Sequence, residues 1–276
     1  MDYNQIVWLA SYPKSGNTWV RMFLDAYFLG EVDINEVLTS VPDNHASRHG
    51  VGDGSNITGF SVDIQQLTRP MALLRMVRQY HKHKVEGIPL YVKSHNQHVV
   101  ANGIDLLPLS LTKAVIHIVR DPRDVLPSFA THTGKSLDEA LERMEDKFNV
   151  MQGNGVTATV SDFTGSWGDY VKSYLNADTH NVRTWKYEDM KADPVRCFSE
   201  MLEHSGVTPD MDKVKAAVKE VALSRLKKQE KEAGFKESSP YAKNRFFGTK
   251  HEKITPKQAN SLKKAFGRTM KRLGYD

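Results

Sequence analysis

The stretch Tyr12-Pro13-Lys14-Ser15-Gly16-Asn17-Thr18-Trp19 joins a short apolar run, Ile6 to Ala10, to a largely apolar segment of helical length, Thr18 to Leu29. A loop in that place leaves backbone N–H groups unpaired at a helix N-terminus, with the positive end of the helix dipole behind them, and so makes a cradle for an anion. Gly16 permits close backbone approach, Ser15 and Thr18 offer hydroxyl donors, and Lys14 adds a mobile charge. The order differs from the nucleotide loop G-x-x-x-x-G-K-[ST], because here the lysine precedes the glycine. A second cluster, Lys93-Ser94-His95, closes the apolar run Leu90 to Ser94, at the strand end where α/β sheets place ligand groups. A histidine there, with an ordinary pKa of about 6.5, can take a proton at neutral pH. A third, Arg120-Asp121-Pro122-Arg123-Asp124, follows the clearest buried run, Ala114 to Val119.

These clusters need strands to carry them and helices to follow. The first thirty residues read as strand, loop and helix, with Gly30 as the helix C-cap. Residues 31 to 65 contain Pro42, Gly50, Gly52, Gly54 and Gly59 and read as mostly loop; helical periodicity returns from Met71 to His81. Asn181 to Tyr187 predicts a fourth strand, and helices dominate from Pro194 onward. Strands alternating with helices predict an α/β fold: a central, mostly parallel β-sheet flanked by helices, with a P-loop-like phosphate-binding loop. No internal repeat or low-complexity linker divides the chain, so residues 1–276 are expected to form a single domain.

Composition narrows the class. With 39% hydrophobic and 26% charged residues the chain reads as an ordinary globular protein, and 18 glycines and 11 prolines are too few for a collagenous or disordered one. No apolar run approaches the roughly 20 residues that cross a bilayer, and an acid precedes the first apolar stretch, unlike a signal peptide. The one cysteine, Cys197, excludes an internal disulfide and a multi-cysteine metal site. The expected location is cytoplasmic. Charge is uneven: from Met211 to Asp276 there are 18 basic and seven acidic residues, against 20 and 26 in the rest. A basic quarter on an acidic body suits an anionic ligand, although a charge run by itself more often marks a solvated helix face. No helix-turn-helix, zinc-finger or RNP pattern accompanies it, so nucleic acid is not the expected partner.

The motifs as a set resemble the sulfotransferases that use 3′-phosphoadenosine 5′-phosphosulfate (PAPS). Y-P-K-S-G-N-T-W is similar to that family's Y-P-K-[SA]-G-[TN]-T-W. Val119 to Phe129 resembles its strand followed by R-[DN]-P-x-D and a serine eight residues after the arginine. Lys93-Ser94-His95 is similar to K-T-H, Gly165 to Val171 to G-x-W-x-x-H-V, and Tyr187-Glu188-Asp189-Met190 to Y-E-D-[ML]. Five elements stand in the family's order between residues 8 and 200.

The resemblance implies roles. Lys14, Ser15, Gly16, Asn17 and Thr18 would hold the 5′-phosphosulfate; Trp19 would stack on the adenine, with Tyr187 near the same base. Arg120 and Ser128 would bind the 3′-phosphate, His95 would be the general base, and Lys93, with Lys14, would stabilise the transferring sulfuryl group. The roles suit the residue types. Sulfuryl transfer, like phosphoryl transfer, depends on geometry and charge stabilisation, and an arginine fork can bind two phosphate oxygens at once. The scheme requires no metal, and the sequence offers no metal cluster. The family's R-K-G-x-x-G-x-W is not matched; Arg245 and Lys250, between Lys243 and His251, stand as candidate phosphate contacts instead. Its dimerisation element K-x-x-x-T-V is also unmatched, with His251 in the lysine position and Pro256 after Thr255, which leaves the oligomeric state open. Leu223 replaces the aromatic residue often found above the adenine.

Other candidates read as structural. His98 lies three residues past His95 without the strand end, and His81, His83 and His132 have no assigned role. Trp167 and Trp185 read as core, Cys197 as packed, and Glu188 with Asp189 as capping or pairing a buried turn rather than as a catalytic pair. Two alternatives differ in class. A P-loop-type nucleotide or small-molecule kinase would need a lysine after the loop glycine and an acidic magnesium ligand. A non-catalytic nucleotide-binding protein would have no use for Lys14, Lys93 and His95 together. The acceptor, a small molecule bearing a hydroxyl or amine, would sit among the segments 33 to 65, 135 to 165 and 233 to 250. Phe60, Phe163, Tyr241, Phe246 and Phe247 could line a site there for a phenol, a sugar or a lipid-like alcohol.

Overall fold

Ile6–Ser11 forms β1, and every one of its residues is buried. An apolar run without polar alternation is what a strand covered on both faces requires. In the computed structural model, which describes residues 5–35, 88–101, 103–151, 162–235, 246–249 and 251–275, β1 lies between two parallel neighbours. They are β2 (Leu90–Ser94) and β5 (Thr112–Val119). A further parallel strand, β8 (Val182–Lys186), pairs with β5, giving the order β2-β1-β5-β8. Two short antiparallel pairs, β3 (Val100–Ala101) with β4 (Ile104–Asp105) and β6 (Val150–Met151) with β7 (Asp162–Phe163), were not foreseen from the sequence. Two residues per strand give too little alternation to read.

The pleat sends alternate residues of β1 into two cores. Ile6, Trp8 and Ala10 join α2 (Pro122–Thr133), α3 (Leu137–Glu145), α4 (Trp167–Leu175) and α9 (Pro256–Arg272). Val7 and Leu9 join α1 (Asn17–Leu29), α6 (Pro194–His204), α7 (Met211–Glu220) and α8 (Leu223–Ala233). The fold is therefore the expected α/β arrangement, with helices on both faces of a parallel sheet. The predicted helix over 71–81 lies outside the described residues. Tyr187 proves to be the first residue of a short helix, α5 (Tyr187–Ala192), rather than the end of β8. No described helix is long and apolar enough to cross a membrane.

The strand order fixes where a ligand can go. The chain leaves β1 towards β2, then crosses back to β5 and proceeds outward to β8. The connections thus diverge between β1 and β5, and in such sheets the crevice at the carboxyl ends of the diverging strands is the binding position. Residues 12–16 and Arg120 sit at those two strand ends.

Candidate active site

Gly16 caps α1 with φ +113°, a left-handed conformation, and a β-carbon there would stand 2.7 Å from the Tyr187 ring. Both facts require glycine: the turn needs its freedom, and Tyr187 needs its absent side chain. Lys14 is also left-handed, with φ 68°, alone among the described non-glycine residues. That conformation costs about 1 kcal/mol or more and persists only where its surroundings hold it. Here they do: Ser15 N donates to Tyr12 O at 3.2 Å, and Arg120 Nη1 donates to Lys14 O at 3.1 Å.

The N-terminus of α1 is left open. Asp121, Ser136, Ser166, Asp193, Asp210 and Thr255 cap other helices with their side chains, whereas α1, like α8, has neither a side-chain cap nor an acid in its first turn. Ser15 Oγ and Arg120 Nε are buried with no hydrogen-bond partner among the described residues. Buried polar atoms of this kind are expected to meet a ligand or water. Asn17 has a different task, since its side-chain amide donates to Leu9 O at 2.8 Å and pins the helix start to β1. Its Oδ1 is buried without a hydrogen-bond partner among the described residues.

An aromatic slot adjoins the cradle. Trp19 meets Tyr187 edge-on with ring centroids 5.9 Å apart and Phe198 at 5.2 Å, and its indole N–H is held by Val221 O at 3.1 Å. Leu223, just beyond Val221, is exposed. The Arg120 guanidinium lies 4.7 Å from the Tyr187 ring centre, and burial pushes the Tyr187 hydroxyl up from its ordinary value. Lys14 Nζ rests 4.0 Å from the ring centre of Phe246, whose N–H, like that of Phe247, is anchored on the Glu230 carboxylate. Ser128 is buried on α2. Arg245 and Lys250, with Phe60 and Tyr241, lie outside the described residues.

His95 follows β2, and its Nδ1 is 2.6 Å from Ser11 O at the end of β1. A carbonyl oxygen can only accept, so Nδ1 carries the proton and Nε2 is the basic atom of the neutral ring. Lys93 stands two residues earlier, opposite Leu9 in the β1–β2 register. His98 is engaged elsewhere. His180 Nε2 donates to Leu107 O at 2.7 Å, which makes His180 Nδ1 the acceptor of the His98 Nε2 proton at 3.0 Å. Burial, then the neighbouring His180, depress the His98 pKa.

Sequence reasoning missed Asn96. It is buried, it bonds the Asp162 carboxylate, its Oδ1 accepts from Phe163 N at 3.0 Å and its carbonyl accepts from Tyr174 OH at 2.6 Å. With Gln97 N donating to Phe163 O at 2.7 Å, the residues after His95 are clamped to the 162–163 strand. An asparagine beside a motif histidine carries no sequence signal of such a role. The remaining structural readings agree with the geometry. Glu188 accepts from Asp121 N at 3.1 Å and from Tyr275 OH at 2.8 Å, Trp167 is wholly buried and Trp185 nearly so, and Cys197 is buried with its thiol pKa raised chiefly by that burial. Asp121 is committed to Arg123 at 2.6 Å. Glu188 and Asp121 are thus taken up by contacts within the protein.

Residues 4–274 match the sulfotransferase domain family. The chain belongs to that family. Among solved structures, it resembles mouse sulfotransferase SULT7A1 complexed with PAP, at 18% identity and a TM-score of 0.57, over 97% of this chain and 84% of that one. It also resembles the sulfotransferase domain of the Synechococcus PCC 7002 olefin synthase, at 16% identity and a TM-score of 0.50, over 98% and 94%. A third similar structure is a retinol dehydratase in complex with retinol and PAP, at 14% identity and a TM-score of 0.51, over 98% and 80%. At these identities the likeness is one of fold, and it places the sulfotransferase architecture over almost the whole chain.

Proposed function

We propose that this sulfotransferase moves a sulfuryl group from PAPS to the hydroxyl or amine of a small acceptor, with His95 as general base. The observation that carries the reading is the meeting of the uncapped α1 N-terminus with Arg120 at the switch point, one strand away from a histidine whose tautomer Ser11 O fixes. The buried, unpartnered Ser15 Oγ and Arg120 Nε suit a donor with anionic groups at both ends. PAPS, when bound, supplies an activated sulfuryl group. The backbone N–H groups of residues 16–18, the Ser15 hydroxyl and the Lys14 charge hold its 5′-phosphosulfate, Arg120 and Ser128 hold its 3′-phosphate, and Trp19, Tyr187 and Leu223 line the adenine slot.

The acceptor proton passes to His95 Nε2 as the acceptor oxygen or nitrogen bonds to sulfur and the bond from sulfur to the nucleotide's phosphate oxygen breaks. Lys93 and Lys14 offset the charge that develops on the departing nucleotide. The hydrogen bonds of Phe163 to Asn96 and Gln97, the residues that follow His95, support an acceptor site on that side. The PAP-bound neighbours support the choice of donor, and the retinol of one of them supports a small organic acceptor.

The test is PAP formation from PAPS across a panel of phenols, aliphatic alcohols, sugars and amines. Acceptor-dependent PAP formation that falls at least about a hundredfold in His95→Ala is expected. Transfer that survives the substitution unchanged would exclude His95 as the base.

A further inference from the structure

The family's R-K-G triplet is missing from this chain, and the structure brings a different basic group to the cradle. His251, just before α9, packs on α2 with its Nδ1 2.9 Å from Thr131 Oγ1. The Thr131 hydroxyl proton is already given to Pro127 O at 2.8 Å, so its oxygen accepts and His251 Nδ1 holds the proton. Nε2 is left as the atom that can gain or lose one. Thr131 stands three residues beyond Ser128 and therefore shares its side of α2.

The charged groups that act on the ring come from two other segments. They are Lys14 of the loop and Arg120 at the end of β5; after burial, their charges hold the imidazole below its usual pKa. In its own segment Glu252 and Lys253 are exposed, and Lys250 lies outside the described residues. Lys14 and Arg120 thus act on the His251 ring through their charges, while Thr131 ties that ring to the Ser128 side of α2. A phosphate dianion entering there would reverse the local field. An imidazole whose pKa is lowered by burial and by two cations then becomes a favourable donor of a charge-assisted hydrogen bond.

We propose that His251 is a ligand of the donor's 3′-phosphate and takes up a proton from solvent at Nε2 as the phosphate binds beside Arg120 and Ser128. The proposal rests on the PAPS reading above and adds a proton linkage to it. Because the bound form is the more basic, affinity is greatest at low pH and declines as pH rises through the pKa of the complex.

Calorimetric titration of the full chain with PAP at pH 7.5, in buffers of different ionisation enthalpy, counts the protons exchanged. A phosphate monoester, with a second pKa of about 6, is almost wholly dianionic there, so uptake reports on the protein. The expected result is net uptake of about 0.3 to 1 proton with PAP and none with AMP, which lacks the 3′-phosphate. His251→Gln should abolish the uptake and weaken PAP about tenfold while leaving AMP unchanged. His251→Arg, a fixed charge, should restore affinity without uptake. PAP binding without proton uptake, or uptake that persists in His251→Gln, would overturn the proposal and leave the donor reading standing. Failure of PAP to bind at all would overturn both.

Discussion

Arg120 Nη1 and Lys14 O are joined by a 3.1 Å hydrogen bond that ties the end of β5 to the loop after β1. The bond holds Lys14 in a left-handed conformation while leaving Arg120 Nε buried without a partner among the described residues. One guanidinium thus shapes the anion cradle and keeps a donor in reserve for what the cradle binds.

Arg120→Ala is expected to weaken PAP binding by about 2 to 4 kcal/mol, since it removes a charged partner from a phosphate and the support of a strained turn. AMP, without the 3′-phosphate, should lose less. Titration calorimetry with both nucleotides checks this; equal losses for the two would assign Arg120 to the loop alone.

Gly16→Ala places a methyl group 2.7 Å from the Tyr187 ring, on a backbone with φ +113°. Nucleotide affinity should fall at least about tenfold, with a stability loss on the order of 1 to 3 kcal/mol. Denaturant unfolding and calorimetry separate the two effects.

Asn96→Ala should reduce turnover while sparing PAP affinity, because Asn96 bonds Asp162 and Phe163 on the proposed acceptor side and, among the described residues, makes no hydrogen bond to the loop 12–18. Loss of its buried hydrogen bonds should also cost about 1 to 3 kcal/mol of stability. Steady-state kinetics beside PAP titration reads the split.

His117 is wholly buried in β5, bonded to Thr184 Oγ1 at 3.0 Å and stacked on Tyr174, and burial lowers its pKa to about 3. The unfolded chain, with an ordinary histidine pKa of about 6.5, binds the proton first. Between these values the unfolded state holds more protons, so stability is lost as pH falls. His117→Gln should make the fall in unfolding free energy shallower across that window, by up to about 1.4 kcal/mol per pH unit. Denaturant titrations at pH 6, 5 and 4 give the slope.

Much of this arrangement is legible in the sequence because its strands are short, buried on both faces and end on their functional residues. Ile6 to Ala10, Leu90 to Ser94 and Ala114 to Val119 lead directly into Lys14, His95 and Arg120. Less legible are features made by contacts distant in sequence. Asn96 acquires its role from residues 162–163, and His251 from Thr131, 120 positions away. Asn17 reads as part of the anion loop, and its side-chain amide also bonds Leu9 O, a contact the motif does not announce. Tyr187 reads as the end of a strand and is the first turn of α5, because Lys186, the last residue of β8, is also the helix N-cap and no turn separates the two elements.

On the proposed function, the cradle between β1 and β5 is built for PAPS. Calorimetric titration of the full chain with PAP, beside ATP with magnesium, tests it most directly. Tight binding of PAP with little or none of ATP is the expected result. Tight binding of magnesium–ATP with none of PAP would contradict the account and return the chain to the kinase reading.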